Sequence, residues 1–334
     1  MMAPLIALPL FAVSLAITLR AASTFARRLD QLGAKFGLPE VLIGLLTALA
    51  ADGPEVSSAL AALSNGAHEA GVGVIVGSNA FNLAAMVGLS AMLTGRVRVV
   101  RETLILEGGV GLAVTVIGIA LLLGVVSAIL AVTLLVCVLV PYLALVIAGP
   151  RLAARLRVPG PVSRVIEHAA EEGEHRSSAG PEHHFATHRQ IAFMALDLLL
   201  IVLGSVGMVQ AALSLGERWG IGPALVGALV LGPLTSLPNA FTGVRLGLAN
   251  RGAALVSEAL NSNTINLVAG VAVPSLFVTL TVHSTTDRLD LALLAAITAA
   301  TVALLGLPHG MRRRGGAAVV ALYVLFVVIQ LVAA

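Results

Sequence analysis

Ala51-Asp52-Gly53-Pro54-Glu55 is followed, 23 residues after its glutamate, by Ser78-Asn79-Ala80-Phe81-Asn82. The pattern returns as Thr235-Ser236-Leu237-Pro238-Asn239 and, at the same interval, Ser262-Asn263-Thr264-Ile265-Asn266. The second set stands 184 residues after the first, proline to proline and final asparagine to final asparagine, which marks residues 42–94 and 225–278 as two copies of one apolar element. Each copy carries acids, amides or hydroxyls at the depth where lipid tolerates them least. Duplication around an intramembrane polar cluster is a common plan of secondary transporters.

Composition sets the class around that element. The chain is 58% hydrophobic and 11% charged, with a mean hydropathy of +1.01, whereas soluble domains are about one quarter charged. Spans of about 20 apolar residues, the length that crosses hydrocarbon, fall at 4–20, 40–64, 71–93, 103–123, 126–148, 190–214, 222–248, 252–277, 289–307 and 316–333. The expected fold is all-α and polytopic, with ten transmembrane helices. A hydrophilic stretch at 150–189, rich in His and Glu, divides the chain into halves 1–149 and 190–334, which hold the repeats at about 40–94 and 222–278. Five helices per half is an odd number, so the second half enters from the opposite side and the two five-helix repeats are inverted.

A net charge of +3 could suggest nucleic acid, but the placement of the basic residues argues against it. Eighteen of the 20 Lys and Arg fall in loops after the odd-numbered spans, leaving Arg218 and Arg288 for the other side. The positive-inside bias puts those loops, and the central one, in the cytoplasm and both termini outside, as in a plasma-membrane protein. The first span lacks a basic leader region and reads as a retained helix. Cys137 stands alone, so no intramolecular disulfide forms.

Pro54 and Pro238 lie inside apolar spans, where proline removes a backbone donor and kinks or breaks the helix. Broken backbone in the membrane must face protein or a wet cavity, and it frees carbonyls for a cation. Asp52 and Glu55, three apart at that break, need compensation in lipid, and a bound cation supplies it. Ser78 and Asn82 share one helix face, and Ser262 and Asn266 repeat the arrangement. Thr235, Ser236 and Asn239 complete a donor set of two carboxylates, three amides and four hydroxyls, the oxygen chemistry of a hard cation such as calcium. Asn79 and Asn263 fall off that stripe and read as packing or backbone-bonding groups.

These residues resemble the cation/calcium exchanger superfamily, sodium/calcium exchanger type, whose two inverted alpha-repeats carry Gly-Thr-Ser-x-Pro-Glu followed by Gly-Ser-Asn-x-x-Asn or -Asp. The matches are Pro54, Glu55, Gly77, Ser78, Asn79 and Asn82, then Thr235, Ser236, Leu237, Pro238, Ser262 and Asn263. The resemblance implies a secondary antiporter that exchanges calcium or a related divalent cation for sodium or protons by alternating access. It implies no enzyme activity and no cofactor, and its partners are the bilayer and inorganic cations. The departures are specific. Ala51-Asp52 replaces Thr-Ser, Asn239 replaces the second glutamate, and Asn266 stands where aspartate is common. Two alternatives follow: the total of two acids is conserved by moving one from position 239 to 52, or the ion, stoichiometry or coupling has changed.

Glu258, four residues before Ser262 on the same stripe, is either an accessory acid on an ion access path or the partner of Arg245. Glu107 and Asp197, near span ends, are expected to need no more than headgroup or loop contacts. His184 and His188 lie four apart, but the loop that holds them reads as solvated. Two rival functions stay open, a monovalent cation/proton antiporter and a non-transporting sensor that keeps the exchanger fold and signals through that loop.

Overall fold

Glycine and proline decide where the apolar runs of the computed structural model break. The structure describes residues 2–35, 49–155 and 187–333. Helix α1 (Pro4–Lys35) is followed by a break at Asp52, whose φ of −79° and ψ of 0° end one helical segment, and α2 (Gly53–Ser64) begins behind it. Pro54 is tolerated there because a first-turn N–H has no intrahelical acceptor. α3 (His68–Asn82) continues through a π-helical turn at Leu83–Gly88 into α4 (Leu89–Thr94). α5 (Arg101–Leu122) and α6 (Ala128–Arg155) complete the first half.

The second half repeats this order. α7 (Thr187–Trp219) precedes α8 (Pro223–Leu225), a π-helical turn at Val226–Leu231 and α9 (Gly232–Thr235). The chain then bends by 48° into α10 (Leu237–Leu248), with Ser236 at the break holding φ −83° and ψ −1°. α11 (Gly252–Leu267) runs into a π-helical turn at Val268–Ala272, and α12 (Thr285–Leu305) and α13 (Arg313–Ala333) close the bundle.

Shifting the chain by 184 residues lays α2 on α10 end to end and starts α3 on α11 and α5 on α12. The duplication extends to single torsions. Gly66, with φ +76°, corresponds to Asn250, the one positive-φ residue other than glycine among those described, with φ +56°. Each closes the turn between a broken helix and its successor, where asparagine is the best substitute for glycine.

Among the described residues six helices are long and apolar enough to span a bilayer, or seven if the bent pair ending at Leu248 counts as one. The expected ten are not all individually of spanning length. α2 has 12 residues because the break at Asp52 shortens it, and residues 36–48 before it lie outside the described residues, as do 156–186 of the His- and Glu-rich loop. Three helices overrun their apolar spans, with α6 reaching Arg155. α1 continues to Lys35 and α7 to Trp219 because their polar tails are rich in helix formers.

The bundle is arranged as lipid requires. Large apolar side chains such as Val116, Phe277 and Val332 are exposed, while polar groups are concentrated inside. α3, with its continuation to Thr94, is central, with 83% of its apolar window buried against 22% for the peripheral α13. A short antiparallel ribbon that the hydrophobic pattern did not indicate, Arg96-Val97 against Met311-Arg312, ties the two halves together at the arginine-rich end.

The centre is held by backbone packing. A Cβ on Gly77 would lie 2.2 Å from the Ala228 carbonyl oxygen, and one on Gly227 would lie 2.2 Å from that of Ala70. Small residues at such crossings let helices approach where lipid offers no hydrophobic drive. Gly77→Ala must push two backbones apart and is expected to cost at least about 1–3 kcal/mol, the usual range for overpacking. Thermal unfolding of the purified variant in detergent checks this, and an unchanged midpoint would refute the tight crossing.

Candidate functional site

The two helix breaks meet at the centre of the bundle. Asp52 and Glu55 come from the break and first turn of α2, Ser236 and Asn239 from the corresponding break and first turn at α10, and Ser78, Asn82, Ser262 and Asn266 from α3 and α11. All eight are buried, with Glu55, Ser78, Asn82, Ser236 and Asn266 fully so. Long-range hydrogen bonds join the two repeats. Asn239 Nδ2 donates to Asp52 Oδ1 at 2.8 Å and to Glu55 Oε1 at 3.1 Å, and Ser262 Oγ, 3.3 Å from Asn239 Nδ2 within the second repeat, donates to Asp52 Oδ1 at 2.6 Å.

The cluster obeys the two-fold relation that the sequence offset implies. Asn79 Nδ2 donates to the Asn263 carbonyl at 3.1 Å, and Asn263 Nδ2 returns the bond to the Asn79 carbonyl at 3.1 Å, across a separation of 184 residues. The off-stripe asparagines are therefore backbone-bonding groups that clamp α3 to α11 across the pseudo-symmetry axis. The bond from Asn82 to Ser262 (3.0 Å) is mirrored by Asn266 to Ser78 (3.4 Å), and Asn239 to Asp52 by Ser236 to Glu55 (2.9 Å). Side-chain chemistry breaks the symmetry, since both acids belong to the first repeat.

The hydrogen-bond inventory is lopsided. Amide and hydroxyl donors are used within the cluster, while Asp52 Oδ2, Glu55 Oε2, Asn82 Oδ1 and Asn266 Oδ1 are buried without a partner among the described residues. Among the described residues no Lys, Arg or His forms an ion pair with Asp52 or Glu55. Buried polar atoms are rarely left unmatched, and buried carboxylates without a counter-charge are costly. Oxygens of carboxylate and carboxamide, with no imidazole or thiolate among them, are suited to a hard cation. Among the described residues no three or more His, Cys, Asp and Glu side chains converge to ligate one metal ion directly, so amides and hydroxyls would have to supplement the two acids.

Not every singled-out residue points its polar atom at a neighbour in the cluster. Thr235 Oγ1 donates to the Leu231 and Gly232 carbonyls of its own helix, leaving its oxygen lone pairs as its contribution. Glu258 is half-buried on α11, and Arg245 sits 5.7 Å from the Phe241 ring centroid.

Ser58, one turn beyond Glu55, is fully buried with a hydroxyl that has no partner among the described residues, and its i+3 spacing from the glutamate is the one sign of it in the sequence. Glu107 and Asp197 depart from expectation, since neither is left to headgroups. Tyr142 Oη donates to Glu107 Oε2 at 3.0 Å, with Ser257 and Asn261 also bonded to the carboxyl. Asp197 accepts from Thr24 Oγ1 at 2.9 Å and forms an ion pair with Arg28. Both pairings follow from helix packing, which a position near a span end does not reveal.

Comparison with known proteins places this geometry. The fold is shared with the sodium-calcium exchanger NCX_Mj, solved after soaking with 2.5 mM Na+ and 10 mM Sr2+, at a TM-score of 0.60 and 18% identity, covering 98% of this chain and 99% of that one. It is shared also with native YfkE, at a TM-score of 0.66 and 15% identity over 96% and 92% of the two chains. In sequence, the inner membrane protein YrbG of Escherichia coli (strain K12) is 34% identical over 113 residues, about a third of each protein. The family described as "Sodium/calcium exchanger protein" matches residues 6–148 and 189–332, nearly the whole of both halves. An integral membrane protein built on two inverted repeats, the chain belongs to the sodium/calcium exchanger protein family.

Proposed function

We propose that the chain is a secondary active antiporter that exchanges calcium, or a related divalent cation, for sodium or protons by alternating access. The observation that carries this reading is the set of four buried oxygens on Asp52, Glu55, Asn82 and Asn266 that have no partner, and no positive side chain in their cluster, among the described residues. An ion there neutralises the two carboxylates, and with it bound the site can pass between the two membrane faces without bare charge in the low-dielectric core. Asp52, Glu55, Ser78, Asn82, Thr235, Ser236, Asn239, Ser262 and Asn266 form the binding set, with Ser58 within reach of it and Glu258 as an accessory acid on the access path. The ion is cargo, and no resident cofactor is required.

α1 and α7 are the moving part of this proposal. They pack along each other and meet α2 at contacts that include Ser57 Oγ with Ser205 Oγ at 2.6 Å and Gly53 beside Ile201. In this reading the two helices slide as a pair over the break that carries Asp52 and Glu55. The arginine-rich end is assigned to the cytoplasm, which places both termini outside a plasma membrane.

Flux into everted vesicles tests the function. Calcium uptake driven by an outward gradient of sodium or of protons, and lost when that gradient is collapsed, is the expected result. The neutral Asn239 and Asn266 motivate the monovalent alternative. Under that alternative sodium exchanges for protons, calcium is not accumulated, and excess calcium does not inhibit the sodium flux.

A further inference from the structure

At the end of the bundle opposite the Arg96–Arg312 ribbon lies a cavity of about 250 Å3, built where α3 and α12 begin and α13 ends. Its walls include His68, Glu69, His283, Asp287, Asp290 and Gln330, and among the described residues no lysine or arginine lines it. Asp290 is 6% exposed, Gln330 Nε2 donates to its Oδ2, and its Oδ1 has no partner. With about 30 Å3 per water molecule in the liquid, the cavity has room for a cation together with several waters.

Glu107 shows how the same chain treats a buried carboxyl that it holds by protein contacts. The 184-residue shift carries Glu107 of α5 to the neighbour of Asp290 on α12, so each end of the bundle has an acid near the same level of equivalent helices. At Glu107 a phenol, a hydroxyl and an amide surround the carboxyl. Asn261, one of those groups, occupies the place that Gly77 holds in the first repeat. At Asp290 one amide serves one oxygen, and the other oxygen has no protein donor beside a cavity that also holds Glu69 and Asp287.

The floor of the cavity gives it a direction. Val76 and Ala228 line it, and next to them Gly77 and Ala228 close the seam between α3 and the π-helical turn with backbone contact. One residue further along α3 is Ser78 of the central cluster. The cavity therefore stops two residues of α3 short of Ser78, on the side of the candidate site remote from the arginines.

We propose that this cavity is a second cation site, an antechamber in which Asp290, with Asp287 and Glu69 behind it, holds a divalent cation that keeps much of its hydration shell. It rests on the transport reading only for its purpose, and its existence is testable alone. A carboxylate with Gln330 as its fixed neighbour anchors the ion directly, and the other two acids act through water.

Terbium(III), a hard oxygen-seeking probe, tests this on the purified full chain in detergent. Luminescence lifetimes in H2O and D2O count the waters left on each bound ion. The wild type is expected to show a water-poor class from the central site and a water-rich class from the antechamber, both displaced by calcium. Asp290→Asn removes the water-rich class and leaves the other, whereas Glu55→Gln does the reverse. Asp287→Asn, at a half-buried position, weakens the water-rich class several-fold and serves if Asp290→Asn does not fold. Persistence of the water-rich class in both Asp290→Asn and Asp287→Asn, or its absence from the wild type, overturns the proposal. Loss of the water-poor class from the wild type alone overturns the central site and leaves the antechamber standing.

Discussion

Glu55→Gln is expected to abolish calcium uptake into vesicles while leaving a folded protein. The substitution keeps the shape of the side chain, and an amide oxygen in place of Oε1 can still accept from Ser236 and Asn239, which donate at 2.9 and 3.1 Å. What is lost is one of two charges that face the ion, and the new amide hydrogens point at it if they take the place of Oε2. Removing one member of a buried ionic arrangement costs about 3–5 kcal/mol. At about 1.4 kcal/mol per tenfold, affinity falls at least about 100-fold.

The sign of the stability change separates this from a folding defect. Without calcium, the wild type carries two buried carboxylates with unpartnered oxygens, Asp52 Oδ2 and Glu55 Oε2, and removing one charge relieves repulsion. The variant is therefore at least as stable as wild type in chelator. Calcium at 100 times its dissociation constant stabilises the wild type by about 2.7 kcal/mol, and the variant gains little from it. Thermal unfolding with and without calcium reads both terms. Wild-type uptake by Glu55→Gln, or calcium stabilisation that survives in it, would refute the central assignment.

Much of this is legible in the sequence, for physical reasons. A proline inside an apolar run can be accommodated in few ways, so Pro54 and Pro238 located the breaks. Two acids within one turn at that depth required compensation, so Asp52 and Glu55 located the site. The fixed offset then predicted that residues 184 apart would be equivalent, and the reciprocal Asn79 and Asn263 bonds show that they are. Pairings that depend on how helices lie against one another were not legible. Nothing local to Glu107 names Tyr142 or Asn261 as its partners, and the ion pair of Arg28 with Asp197 joins helices far apart in sequence. Helix ends beyond the lipid were also hidden, because the apolar count stops where the tail of α1 turns polar although the helix continues.

The same geometry decides what the exchange of residues between positions 52 and 239 means. Asp52 Oδ1 and Asn239 Nδ2 lie 2.8 Å apart, so the acid present at 52 and the acid absent at 239 border the same volume. If the ion responds to total charge, the carboxylate can sit on either side. Asp52→Asn alone is expected to lower calcium transport at least about 100-fold by the argument used for Glu55. Adding Asn239→Asp restores the count of two acids, and the two side chains can exchange donor and acceptor roles across the same contact. The introduced carboxylate also borders Glu55, whose Oε1 is 3.1 Å from Asn239 Nδ2. Two like charges about 4 Å apart repel by about 4 kcal/mol at an effective dielectric constant of 20, a cost that the bound divalent ion largely offsets. Recovery in the double variant is therefore expected to be substantial but incomplete, and it should weaken more than wild type when calcium is scarce. Initial rates of uptake over a calcium range, for wild type, both single variants and the pair, measure this coupling. Strict additivity of the two losses would show that Asp52 acts by position rather than by charge. Calcium transport unchanged in Asp52→Asn would show that one acid suffices, and the choice of a divalent ion would then lose its electrostatic basis.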